Sequence, residues 1–416
     1  MKFVYNYIAI FGLLFISLTA QGQSELNPYL KIAAENNPGL KAKFSDYMAS
    51  MAHVPQVGAL PDPVIAFGVF SLPVETRVGP QQFNASLTQM FPWFGLLNAQ
   101  EDVATAHAKT KWEVFLDTKS KLFYDVKTTY YNLYFVDRSI SSAQENIEIL
   151  QTFQQLALIK FESGKSSAVD ELRIEMELAD LENKLAYLND TKQQLQVQFN
   201  NLLNVQVDAE VNIINTLWAD ELADLKPVLL DSISNQNHQL KQIEHRMLVW
   251  EKQEEVAQKT DMPDFVFGLS YIAVGKSDNP NLPASESGKD ALILPTIGIS
   301  IPINRKKYKA MVDEALLNLD AVGFEKEEKT NQLSTIFEIC YRDYQDAKRR
   351  IKLYEKQVRL AHQAMDILLA QYSTDGTDFE EVLRMERKVL NYQLELHKAR
   401  SDQNTAFAFI SYLKGN

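Results

Sequence analysis

The stretch FNASLTQMFPWFGLL (Phe83–Leu97) changes its period at a single proline. Up to Phe91, the residues Phe83, Ala85, Leu87 and Phe91 alternate with Asn84, Ser86, Thr88 and Met90. That is the period of a strand with one apolar face, interrupted on that face by Gln89. Pro92 ends the alternation, and residues 96–163 then contain neither glycine nor proline. Both residue types interrupt helices, so their absence predicts one helix about 100 Å long. A strand therefore hands over directly to a helix far longer than a globular core needs.

The same handover occurs a second time. Ile293, Ile297, Ile299 and Ile301 alternate with Thr296, Gly298 and Ser300, with Pro295 on the apolar side, and Pro302 ends the run. From Asn304 to Asp375 the only breaker is Gly323. Each of these strands has a predecessor. Val64 to Leu72 is apolar on both faces, and Phe265, Phe267, Leu269 and Tyr271 form one alternating face. Polar loops are expected at Glu75–Gln82 and Lys276–Asp290. Apolar residues spaced four, three, four and three follow both long stretches, at Ile174, Leu178, Leu181, Leu185 and Leu188 and at Met385, Val389, Tyr392, Leu396 and Ala399. This is the seam of a helix packed on other helices.

The two halves match in sequence. Leu172-Arg173-Ile174-Glu175 corresponds to Leu383-Arg384-Met385-Glu386, an offset of 383 − 172 = 211. Leu60-Pro61-Asp62 corresponds to Met262-Pro263-Asp264, Pro92 to Pro302, Asn37 to Asn237, and Phe123 and Tyr130 to Phe337 and Tyr344. The chain is thus a duplication of a helix, strand, strand, long helix, helix unit, mainly α with a small β part. The first repeat covers 23–203, with strands at about 62–74 and 82–91. A linker covers 204–226. The second repeat covers 227–416, with strands at about 263–275 and 290–302. Residues 1–22 read as an export signal, in which Lys2 precedes an apolar run from Ile8 to Leu18 and the small residues Ala20 and Gly22.

Composition narrows the function. The formal charge of the 416 residues is 42 − 54 = −12, which disfavours nucleic acid as a partner. Cys340 is the single cysteine, and the six histidines show no ligand spacing, so neither a disulfide nor a metal site is expected. His238 and His245 lie two helical turns apart, too far to share one ion unaided. No phosphate loop and no nucleophile elbow is present, and neither an enzyme nor a cofactor is expected. Beyond the signal, no apolar run is long enough for a transmembrane helix. Any membrane insertion must use strands, and a sheet in lipid must close on itself. Four strands are too few for closure, because common barrels start at about eight. Several chains would have to share one barrel.

The order of elements, the duplication, Leu60-Pro61-Asp62-Pro63 before the first strand and Gln89-Met90-Phe91-Pro92-Trp93-Phe94-Gly95 at the junction resemble the TolC family of outer-membrane efflux proteins. The resemblance covers nearly the whole mature chain. It implies a homotrimer in which four strands per chain build a twelve-stranded β-barrel, continued by an α-helical barrel in the periplasm of a Gram-negative-type cell. It implies a passive duct that docks with a periplasmic adaptor and an inner-membrane efflux pump. The Leu-Pro-Asp-Pro start resembles the branch paired with heavy-metal pumps, whereas Leu96 and Leu97 stand where relatives often carry a basic residue after the glycine.

The resemblance also directs attention to the hairpin tips, Ser163, Gly164 and Lys165 in the first repeat and Thr374, Gly376 and Thr377 in the second, as the entrance and adaptor surface. Asp375 and Asp378 flank the second turn. In a trimer they would form a ring of carboxylates that attracts cations, or they serve as turn and capping residues; one Asp can do both. Phe91, Trp93 and Phe94 suit an aromatic girdle at the interface with outer-membrane lipid, or core packing where strand becomes helix. The rival from another class is a periplasmic coiled-coil adaptor or scaffold, which would normally carry one hairpin rather than two equivalent ones.

Overall fold

The structure is a computed structural model that describes residues 25–164, 167–289, 291–373 and 379–416. The expected export signal lies outside the described residues. Two compact units form, one from residues 25–43, Phe115–His238 and Thr330–Asn416, the other from Phe44–Val114 and Gln239–Lys329. Along the chain run α1 (Asn27–Asn36), α2 (Pro38–Val57), β1 (Val64–Thr76), β2 (Gly79–Phe91), α3 (Leu96–Glu162) and α4 (Ala168–Leu203). Then follow α5 (Lys226–Gln236), α6 (His238–Thr260), β3 (Asp264–Val274), β4 (Ala291–Ser300), α7 (Arg305–Ser373) and α8 (Phe379–Leu413).

The second unit holds one antiparallel sheet in the order β1-β2-β3-β4. Its register gathers the paired aromatic side chains on one face. Ile65 pairs with Leu87, Leu87 with Leu269, and Leu269 with Pro295; Phe91 pairs with Phe265, and Phe265 with Ile299. Because alternate residues share a face, these lie on one side together with Phe67, Phe83, Phe267, Tyr271 and Ile297. The other side carries Asn84, Ser86, Thr88, Gly268, Ser270, Thr296, Gly298 and Ser300, mixed with the apolar Val64, Ala66, Met90, Val266, Ile272 and Leu294. Gln89, the polar residue on the apolar side, is accounted for: its amide donates to the carbonyls of Pro61 at 2.7 Å and Met90 at 2.9 Å. Pro295 lies on an edge strand, where a missing N–H is tolerated.

The first connection is shorter than the polar loop the sequence suggests. Thr76 pairs with Gly79, leaving only Arg77 and Val78 between the strands. The cause is Gly79, whose φ of 138° is open to glycine and strained for other residues, and whose carbonyl accepts from the Thr76 hydroxyl at 2.6 Å.

The first unit is a helical bundle. In α4, Ile174, Leu178, Leu181 and Leu188 are buried and Leu185 packs beside them. The stripe in α8 differs from the expected one. Phe379, Val382, Leu383, Glu386 and Val389 are buried, whereas Met385, Tyr392 and Leu396 are half-buried. A heptad drawn through apolar residues alone skipped Glu386, which occupies a core position.

Two short helices open the repeats in the same way. Asn37 follows α1 with φ −59° and ψ 122°, and Asn237 follows α5 with φ −60° and ψ 125°. The Asn37 amide donates to Leu202 O at 3.0 Å and the Asn237 amide to Leu413 O at 2.9 Å, at the C-terminal ends of α4 and α8. Tyr130 and Tyr344 also act alike, donating to the carbonyls of Asn212 and Asp220 in the segment between the repeats. Phe123 and Phe337 do not correspond, since Phe123 is half-buried and Phe337 fully buried. At the offset of 211, Leu122, Val126, Thr129 and Leu133 align instead with Leu333, Phe337, Cys340 and Tyr344, and all eight are buried.

The irregular segment between α4 and α5 has its backbone satisfied by side chains from the helices. Asn200 donates to Val207 O and Ala209 O, Asn404 to Trp218 O, and Gln403 to Asp220 O, while Asp220 N donates to Asn404 Oδ1. Gln403 and Asn404 are buried, and burial without such partners would be costly.

Candidate functional site

The chemistry that distinguishes this chain lies in the sheet of the second unit and at the hairpin ends of the first. Apolar side chains cover β1 yet stay open: Val69 is 79% exposed, Phe67 73% and Leu72 85%. On β4, Ile297 is 74% exposed. The outer edges of β1 and β4 have no strand partner among the described residues. A soluble monomer rarely leaves so large an apolar patch beside two free edges.

The aromatic residues at the strand-to-helix junction belong to this sheet. Trp93 is half-buried, stacks on Phe265 at 5.9 Å, and donates its backbone N–H to Asp264 Oδ1 at 3.3 Å. Phe94 leans on Trp93 and Phe265 but is 79% exposed. Phe91 meets Phe267 edge to face at 5.6 Å and is 36% exposed. Trp93 thus packs at the junction while Phe91 and Phe94 extend the apolar face. Gly95, with φ 79°, turns the chain into α3, and Lys259 Nζ donates to its carbonyl at 3.1 Å.

In the first unit, α3 closes on Ser163 and Gly164. Gly164 has φ 70° and its N–H donates to Phe161 O at 2.9 Å, while the Ser163 hydroxyl donates to Lys160 O at 2.9 Å. Ser167 caps α4 by accepting from Val169 N, with Asp170 and Glu171 in the first turn, where carboxylates suit the helix dipole. Lys165, Thr374, Asp375, Gly376, Thr377 and Asp378 lie outside the described residues. Just short of the tips, Lys160 Nζ sits 3.8 Å from the Tyr372 ring centroid and donates to Tyr372 O at 2.5 Å. Tyr372 packs on Phe379 at 5.1 Å, and Phe379 meets Phe153 at 5.9 Å. Arg173 pairs with Glu380 at 3.2 Å and Arg387 with Glu177 at 3.1 Å. The two hairpins are thus joined by an aromatic cluster and ion pairs that the sequence did not single out, because each pair spans elements far apart in the chain.

Histidine and cysteine play structural parts. The Cys340 thiol is buried against Ala406 O, and burial pushes its pKa up to about 12. Burial lowers His397 to about 4, helped by Arg400 and Arg138, and its ring meets the Tyr134 hydroxyl at 3.2 Å. His53 and His107 line a cavity of about 850 Å³ with Asp62 and Asp264. Among the described residues, no three His, Cys, Asp or Glu side chains converge as a metal site would require.

A model of the outer membrane efflux protein family matches residues 30–205. Solved structures similar to this chain carry its fold across most of its length. The outer-membrane channel OprN superposes with a TM-score of 0.77 at 18% identity, covering 94% of this chain and 90% of that one. The outer membrane protein VceC of Vibrio cholerae gives 0.76 at 15% identity, covering 95% and 97%. The channel protein CusC gives 0.77 at 16% identity, covering 94% and 92%. In sequence, the toxin and drug export protein A of Aggregatibacter actinomycetemcomitans is 21% identical over 313 residues, 74% of this chain and 66% of that protein. The aligned part is thus just under two thirds of that relative's length. The match over residues 30–205 and the shared fold are both with outer-membrane channel proteins.

Proposed function

We propose that this chain is an outer-membrane efflux channel, a homotrimer whose three sheets close into one twelve-stranded barrel in outer-membrane lipid. The observation that carries the proposal is the sheet itself, with an aromatic and aliphatic face, a more polar face that holds its Ser, Thr and Asn side chains among a few aliphatic ones, and two edges without a strand partner among the described residues. Lipid suits the first face and water the second, and only copies of the same sheet satisfy both edges without leaving backbone groups bare in hydrocarbon. The helical hairpins then form the periplasmic part of a passive duct. A periplasmic adaptor meets the duct at the tips, and an inner-membrane pump supplies the energy. On the first unit, α7 presents Ile339, Leu353, Leu360 and Ile367 to the outside at near-heptad spacing, an apolar stripe suited to a neighbouring copy.

Two measurements on the detergent-purified protein test this reading. The expected result is a trimer mass with discrete conductance steps in a planar bilayer. A monomer soluble without detergent would instead support a periplasmic scaffold. Asp375 and Asp378 are assigned to the entrance as a threefold carboxylate ring. Replacing both by Asn should weaken cation preference and block by divalent cations. Unchanged selectivity would remove them from the entrance.

A further inference from the structure

Glu386 is the one carboxylate in the buried stripe of α8. It is 4% exposed, and its hydrogen-bond partner is Asn146 of α3, 5% exposed, whose amide donates to Glu386 Oε1 at 2.5 Å. Among the described residues it forms no ion pair. The two side chains stand between two cavities, of about 160 and about 280 Å³, both lined by Asn146 and Glu386. The charged groups around them come from all four helices of the two hairpins. Glu177, Asp180 and Lys184 of α4 and Arg387 of α8 line the smaller cavity. Glu145 of α3 and His362 of α7 line the larger. Arg387 is engaged by Glu177, so that guanidinium is not available to neutralise Glu386. Its counterpart in the first repeat, Glu175, is exposed.

We propose that Glu386 is a proton-binding site that sets how tightly α8 packs on α3. Protonated, it fills its core position as a neutral hydrogen-bonding group and the seam closes. Ionised, it carries a charge into an apolar stripe, and the cavities on either side give water a route to it. Burial raises its pKa, the Asn146 hydrogen bond opposes that shift, and Glu145 adds to it. The closed seam therefore holds a proton that the opened seam releases, so closure is favoured at acid pH and lost as pH rises above the ordinary glutamate range. The inference concerns one chain's helices and does not depend on the duct forming.

Hydrogen exchange of the full-length detergent-solubilised protein tests it, read on peptides containing Asn146 and Glu386. Rates are corrected for intrinsic exchange and followed from about pH 4.5 to 8. Wild type should lose protection with rising pH, by up to about tenfold per unit between the pKa values of the open and closed seams. Glu386→Gln should stay protected throughout. Should Glu386→Gln fail to fold, Glu386→Met is read the same way, and failure of both overturns the proposal because the carboxylate is then needed for packing. Identical pH profiles for wild type and variant also overturn it, leaving Glu386 a fixed polar contact.

Discussion

Asn37 and Asn237 show how much one side chain organises here. Asn37 Oδ1 accepts from Leu40 N at 3.0 Å, which caps α2, while its amide ties down the end of α4. Asn37→Ala removes both bonds and should cost about 1–3 kcal/mol, measured by denaturant unfolding in detergent. Asn37→Asp keeps the cap and loses only the tie, so it should fall between. At His397 the pH dependence runs opposite to that of Glu386. Its folded pKa of about 4 lies below the ordinary value near 6.5. The unfolded chain therefore gains the proton first, and stability present above about pH 6.5 is lost as pH falls toward 4. His397→Gln should flatten that acid limb of the melting-temperature curve, while an unchanged limb would place the titration elsewhere. The asparagines were legible in sequence as a repeated letter, but their partners were not, because each lies over a hundred residues away. Glu386 was illegible for another reason, since apolar periodicity assigns any carboxylate to the outside.

Elements were read best where composition left one option. The absence of breakers in residues 96–163 allowed little but a long helix, and α3 fills that span almost completely. The alternation at Phe83–Phe91 fixed which residues of β2 share a face, and the register extended that sorting to all four strands. The connection at Arg77–Val78 was harder, because its turn depends on the backbone of Gly79 rather than on polarity. Adding a Cβ at Gly79 would bring it 1.8 Å from Gly275 O. Gly79→Ala should therefore sharply lower the yield of folded sheet on refolding into lipid vesicles. The two faces give a paired prediction. Ile297→Lys on the apolar face should destabilise the inserted state by about 2–4 kcal/mol, read from a denaturant titration in vesicles. Ser270→Lys on the polar face should leave that titration nearly unchanged and lower cation conductance. Equal effects of the two would mean that the faces are assigned wrongly.

Across the whole molecule, the duplication was legible because breakers, strand pairs and hairpins recur in the same order, and the structure adds where the copies diverge. The halves keep their asparagine ties, yet only the second buries a glutamate in its seam. Three chains would then carry six hairpins with two alternating chemistries, so the pore could be threefold but not sixfold. The segment between the repeats has a consequence for how the chain is made. The N–H of Asp220 finds its acceptor, Asn404 Oδ1, only after 184 further residues have followed it, and Gln403 arrives one residue earlier. At about 5–20 residues per second of synthesis, that is a wait of roughly 10–40 s. The buried cluster around Tyr130, Tyr131 and Phe199 includes Ala408, so the first half cannot finish its own core during that interval. A ribosome delivering this protein thus releases a chain whose early half stays open until its last helix is supplied, a state compatible with threading through a narrow export pore.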